Sequence, residues 1–174
     1  MKKLCKIFKD DRGSSLIELL IFLGISLALI GWGTDYYHAI NIKRGITDSV
    51  KFAALAASQQ TDQTKLNQGV LTIDPAQADA VFLEMLKKNL SLDNSLNPLP
   101  GSPVIYVNKA TLYYQTYNSD VLPAVSPIDS HAITEPSYVA YIEVRVRRGF
   151  TQIVNSTPYW TIKVAKDAAL KISP

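Results

Sequence analysis

Cysteine is nearly missing from this 174-residue chain: one stands at Cys5 and none follows. Beyond the first few residues that excludes a disulfide framework and a thiolate metal site. Proline is missing before Pro75, so no ring forces a break in any helix formed by the first third of the chain. Histidine is limited to His38 and His131, neither with a second ligand type at metal-binding spacing. No nucleophile elbow, phosphate loop or HExxH sequence occurs. An excess of one charge is missing too, once the formal +3 is located. Lys2, Lys3, Lys6, Lys9 and Arg12 against Asp10 and Asp11 account for all of it and leave the remainder balanced. A nucleic-acid-binding role gains no support from so local a surplus. These absences predict a protein that is not an enzyme, with no catalytic residues, cofactor, metal or small-molecule substrate.

What is present is a sharply ordered N-terminus. Residues 1–13, MKKLCKIFKDDRG, are basic and polar, whereas residues 16–32 hold a single charge, Glu18. As a helix, residues 14–33 would be about 30 Å long, the thickness of one hydrocarbon core. Basic residues on its N-terminal side predict a single pass with that end cytoplasmic and the C-terminal domain outside. Helical spacing continues past the apolar run. Ala39, Ile42, Ile46, Val50, Ala53 and Ala57 share one narrow arc with Tyr36 at its edge, while Arg44, Thr47, Asp48 and Lys51 face away. The pattern predicts one helix over 14–58. Its amphipathic part, 34–58, should bury an alanine-rich stripe against a sheet of the same chain.

Residues 59–174 read as a domain. A polar loop over 59–73 leads to Asp74-Pro75, an N-cap followed by a proline at the first helical position, with Gln77 three residues after the cap. Ala78, Val81, Phe82, Met85 and Leu86 recur at helical spacing up to about Leu90, with Glu84 on the solvated side. VIYVNKATLYYQTY (104–117) is one long strand or two strands turning at Asn108-Lys109. Residues 118–137, with Pro123, Pro127 and Pro136, form a long exposed excursion. YVAYIEVRVRR (138–148) alternates: Ala140, Ile142, Val144 and Val146 inward, Tyr141, Glu143, Arg145 and Arg147 outward. GFTQIVNSTP connects it to a last strand, YWTIKVA (159–165). Arg148 joins the same basic edge, and the strand tyrosines suit a half-buried sheet. The fold class is α+β: a long N-terminal helix packed on an antiparallel sheet of three to four strands, with one additional short helix.

Glu18, alone in its apolar run, has three readings. With Ser15 it fits a capping box that starts a helix at a membrane surface. Gly31-Trp32-Gly33 offers the small residues of a signal-peptide cleavage site, although the apolar stretch is long for a signal peptide and the helical pattern runs on past Gly33. The third reading uses the whole stretch. A basic leader, Gly13, then Ser-Ser-Leu-Ile-Glu-Leu-Leu resembles the processing site of type IV pilin-like proteins. That resemblance implies cleavage by a prepilin peptidase between Gly13 and Ser14, which makes Glu18 the fifth residue of the mature chain. A carboxylate there can meet the new terminal amine of a neighbouring subunit. Such a pair offsets part of the desolvation of both charges and fixes axial register.

Within that class the sequence is similar to TadE-like minor pilins of tight-adherence systems. The alanine-rich stretch after the anchor and the closing pair of strands carry the likeness, over residues 12–58 and 138–172. Classical type IV pilins start with Phe or Met and carry a proline in the apolar segment, and neither occurs here. The resemblance implies a structural subunit whose partners are a prepilin peptidase, other pilins, an assembly platform and membrane lipid. A type II secretion pseudopilin or a classical pilin is the nearest alternative. A membrane-anchored binding module with an uncut anchor is the alternative of another class.

Overall fold

The computed structural model describes residues 11–128, 130–148 and 158–170, with side chains from Ser15 onward. The expected leader through Asp10, the connection over 149–157 and the last four positions lie outside the described residues.

Helix α1 runs unbroken from Asp11 to Ser58, 48 residues. The proline-free sequence permits this. Polar side chains inside it fold back onto its own carbonyls: the Thr34, Thr47 and Ser49 hydroxyls donate to Ile30, Lys43 and Gly45 at 2.7–2.8 Å. Its second half buries Ile46, Val50, Ala53, Ala54 and Ala57. Ala39 and Ile42 are half-buried, and Arg44, Asp48 and Lys51 face solvent. The expected stripe is therefore in place.

Two features between 59 and 91 follow from local chemistry. The expected polar loop holds a single helical turn, α2 (Gln63–Leu66), capped by the Asp62 carboxylate, which accepts from the Thr64 and Lys65 amides. Four residues carry no periodicity, so sequence spacing could not reveal it. Helix α3 (Pro75–Leu90) starts where expected. The Asp74 carboxylate accepts from the Ala76 and Gln77 amides at 3.0 and 3.2 Å, and the helix ends on Ser91 in the left-handed region.

The main sheet is built on one strand. Strands β1 (Tyr106–Val107) and β2 (Tyr113–Tyr117) both lie antiparallel along one edge of β5 (Ser137–Arg147), and β6 (Tyr159–Ala169) pairs with the other edge over its whole length. Residues 104–117 are thus neither an unbroken strand nor a hairpin. Tyr106 and Val107 pair with Arg145 and Val144, Tyr113 resumes opposite Tyr141, and residues 108–112 bulge out between them. Asn108 anchors this bulge, its amide donating to the Glu143 carbonyl at 2.9 Å. Strand β6 extends four residues beyond the expected Ala165.

The excursion over 118–137 is also more ordered than expected. It forms a small hairpin, β3 (Ala124–Val125) with β4 (Ala132–Ile133), and its last residue already belongs to β5. The hairpin packs on the outer face of the main sheet. There Tyr117, Ile133 and Val139 form a small apolar cluster with Leu122 and Ile128 beside it. This second core explains why Val139, an outward-facing residue of β5, is buried.

The principal core lies between the two long helices and the inner sheet face. Phe82 of α3 sits between Tyr114 and Tyr138, with ring centroids 5.5 and 5.4 Å away. Ile142, Val144, Val146, Ile162 and Val164 continue this layer. The alanines of α1 keep the helix backbone close to it, which leaves room for the larger partners across the interface.

Candidate assembly and membrane-anchoring helix

From Ser15 to Ile30 no residue of α1 is buried. Leucine, isoleucine and phenylalanine side chains, Phe22 at 69% among them, stand exposed along the run. A helix of this length and apolar character is able to cross a membrane once. A soluble protein would be expected to hide so large an apolar surface. The run ends in aromatic residues, Trp32 and Tyr36 stacked at 6.2 Å with Tyr37 beside them, all exposed. Rings with one polar atom favour the headgroup level of a bilayer.

Glu18 lies exposed on this helix among Leu16, Leu19 and Leu20. Gly13 and Ser14 belong to the same helix. Ser14 and Glu18 are four residues apart, hence on one face with about 6 Å of rise between them. The capping-box reading does not match this geometry: α1 is helical from Asp11, so Ser15 sits inside the helix and does not start it. The upstream residues Asp11 to Ser14 extend the helix by about one turn, a contribution that the local Ser-x-x-Glu pattern cannot register.

The domain meets the anchor just beyond the apolar run. Tyr36, Ala39, Ile40 and Lys43 of α1 share a groove with Trp160, Thr161 and Ile162 at the start of β6. Asp35, buried to 4% exposure at this junction, carried no signal in the sequence.

Three titratable groups of the folded domain have shifted ionisation. Burial, then hydrogen bonding to Asp79, raises the Tyr138 phenol far above its ordinary value. Burial, then the hydrogen bond with Tyr117, does the same for Tyr113. Main-chain and side-chain hydrogen bonds from Asn97 hold Asp93 below the usual carboxylate range. None of these groups is near Glu18 in sequence, and each is explained by its structural partners. The histidines likewise form no ligand set. His38 is exposed, and His131 of the β3–β4 hairpin pairs with Asp167 of β6 at 3.5 Å. No group of three or more potential metal ligands occurs among the described residues.

The chain is 26% identical over 118 residues to the pilin-like protein PilA3 of Thermus thermophilus. This likeness and the long apolar helix fit a pilin-like protein. The matched segment is 68% of this chain and 48% of that relative, so it spans about half of the relative's length. No protein-family model matches the chain, and no solved structure matches it. The architecture is nonetheless that of a pilin fold: a long N-terminal apolar helix, a short extra helix and small antiparallel sheets. The same features are consistent with a single-pass membrane protein and suggest a structural role.

Proposed function

We propose that the chain is a minor pilin or pseudopilin. On this reading a prepilin peptidase cuts it between Gly13 and Ser14, and the remaining subunit joins or primes a fibre at the cytoplasmic membrane. The observation that carries the reading is an exposed apolar helical run with one carboxylate, Glu18, near its start, continuous with a helix whose far half is built into an α+β domain. A plain anchor does not need Glu18. In a bundle of such helices, that carboxylate is the natural partner for the amine that cleavage at Ser14 would create. The partners implied are the peptidase, other pilin subunits, an assembly platform and the lipid that holds the helix before assembly. The domain then lies outside the cytoplasm.

Within this class we assign the chain to the TadE-like group. Its support is the alanine stripe from Ala39 to Ala57 and the closing pair β5–β6, the two regions in which the sequences resemble one another. On this reading the mature chain starts at Ser14, not with the Phe or Met of classical type IV pilins.

The test is the N-terminal sequence and intact mass of the protein isolated from membranes, with and without the host's prepilin peptidase. A chain starting at Ser14 only when the peptidase is present supports the proposal. A start at Met1 under both conditions makes the protein an uncut anchored module, and a start at Thr34 makes it a secreted domain.

A further inference from the structure

The end of the sheet nearest the apolar run differs chemically from the rest of the domain. There Arg145 of β5 stands between two tyrosines. Its guanidinium carbon is 5.1 Å from the Tyr106 ring centre and 4.6 Å from that of Tyr159. Arg148 lies 5.5 Å over the Trp160 ring and donates from Nε to the Tyr159 carbonyl at 3.2 Å. Arg147 pairs across the ladder with Tyr159 and is exposed, as is Arg145. On α1, Lys43 lines the groove that Trp160 closes. Glu143, the acid of this part of β5, is occupied by Lys163 at 3.7 Å and by the Asn108 amide at 3.4 Å. At the opposite end the outer face is covered by the β3–β4 hairpin, and the exposed charges there include Asp120 and Glu135 beside the His131–Asp167 pair. Exposed Lys43, Arg145 and Arg147 thus make this end basic, with the Asp35 carboxylate buried at the same junction.

We propose that this basic, aromatic end of the sheet docks on the anionic phospholipid headgroups of the bilayer that α1 enters. The inference rests on the anchored reading above. Placement is its first support. The groove joining Trp160 to Ala39 lies six residues past Gly33, about 9 Å along the helix axis, within the reach of a headgroup layer. Chemistry is the second. Arginines held against aromatic rings keep their charge while shielding their apolar surface, and tyrosine and tryptophan favour the same interfacial depth. Clustered basic residues beside a membrane segment are attracted by anionic lipid. Docking would fix the height and rotation of the domain on the membrane while the subunit waits to be assembled.

Trp32 and Trp160 are the two tryptophans of the chain, one on each side of the question. The full chain carrying Trp32→Phe reports on Trp160 alone, and Trp160→Phe reports on Trp32. Both are reconstituted in vesicles of phosphatidylcholine, with or without phosphatidylglycerol, containing a lipid with a nitroxide on its headgroup. Trp160 emission is expected to fall by about half in the anionic vesicles and far less in the neutral ones. Arg145→Gln with Arg147→Gln should restore most of that emission, and Arg145→Lys with Arg147→Lys should not. Unquenched Trp160 beside quenched Trp32 would overturn the proposal and leave the anchor intact. Equal quenching of Trp160 in both vesicle types would overturn the role of anionic lipid. If Trp32 is not quenched either, the anchored reading itself fails and takes this inference with it.

Discussion

The Asn118 carboxamide and the Ile73 main chain exchange two hydrogen bonds: the Ile73 amide donates to Oδ1 at 2.8 Å, and Nδ2 donates to the Ile73 carbonyl at 2.9 Å. The residue after β2 thereby acts as one more rung of a ladder and ties the α2–α3 connection to the sheet. Only a primary amide offers a donor and an acceptor in this arrangement. Asn118→Asp would set a carboxylate oxygen against the Ile73 carbonyl. It should destabilise the domain by about 1–3 kcal/mol, and by more than Asn118→Ala. Urea unfolding of the full chain in detergent, followed by near-ultraviolet circular dichroism, gives both values. Equal stability of Asn118→Asp and the parent would show that the clamp contributes nothing.

Tyr138 donates to the Asp79 carboxylate at 2.9 Å from a fully buried ring. Its folded-state ionisation is raised, so folding favours the protonated phenol. This contribution is complete below the ordinary tyrosine value of 10.0 and is lost as pH rises above it. Tyr113 acts in the same direction. The domain should therefore lose stability above about pH 10, and Tyr138→Phe should flatten that decline while costing about 1–2 kcal/mol at neutral pH. Unfolding midpoints measured on both sides of that pH decide the matter.

The alanine stripe of α1 has no spare room. Ala53 is fully buried against the core, so Ala53→Leu should cost about 1–3 kcal/mol or more through overpacking. Lys51→Ala, on the exposed side of the same turn, should stay within about 0.5 kcal/mol of the parent. Thermal unfolding of the three proteins in one detergent makes the comparison. A tolerant Ala53 would mean that helix and sheet are not closely packed there.

Glu18→Ala and Glu18→Gln should leave the subunit at normal level in the membrane but reduce its incorporation into fibres by at least roughly tenfold, given the cost of burying an unpaired amine. Quantifying the subunit in sheared fibres against membranes tests this. Fibres containing both variants at the parental level would reduce Glu18 to a surface residue of the anchor.

The sequence made legible those features whose cause is local. Asp74-Pro75 caps α3 because a carboxylate and a fixed φ act within one turn. The alternation from Tyr138 to Arg147 reads as a strand because its two faces meet different surroundings. The stripe from Ile46 to Ala57 reads as a buried helix face for the same reason. Long-range pairings left no such trace. Nothing in VIYVNKATLYYQTY indicates that its two halves share one edge of β5, because the bulge at 108–112 is set by the Asn108–Glu143 contact. The β3–β4 hairpin has two-residue strands, too short for any period, and its purpose is visible only where Ile133 meets Val139. At the candidate site, Gly13, Ser14 and Glu18 are proposed from the resemblance of their stretch to a prepilin processing site, a resemblance that lies within one short run of sequence. The basic, aromatic end of the sheet required the fold, since Arg145, Tyr106 and Tyr159 are far apart in the chain.

An uninterrupted α1 also makes the protein a lever. Its 48 residues extend about 72 Å, and its far half is built into the domain core, so no joint separates the two parts. A tilt of about 10° near Trp32 would carry the Ser58 end of the helix sideways by roughly 7 Å. Small rotations of the helix among its neighbours would thus be delivered, undamped, to the outermost surface of the molecule.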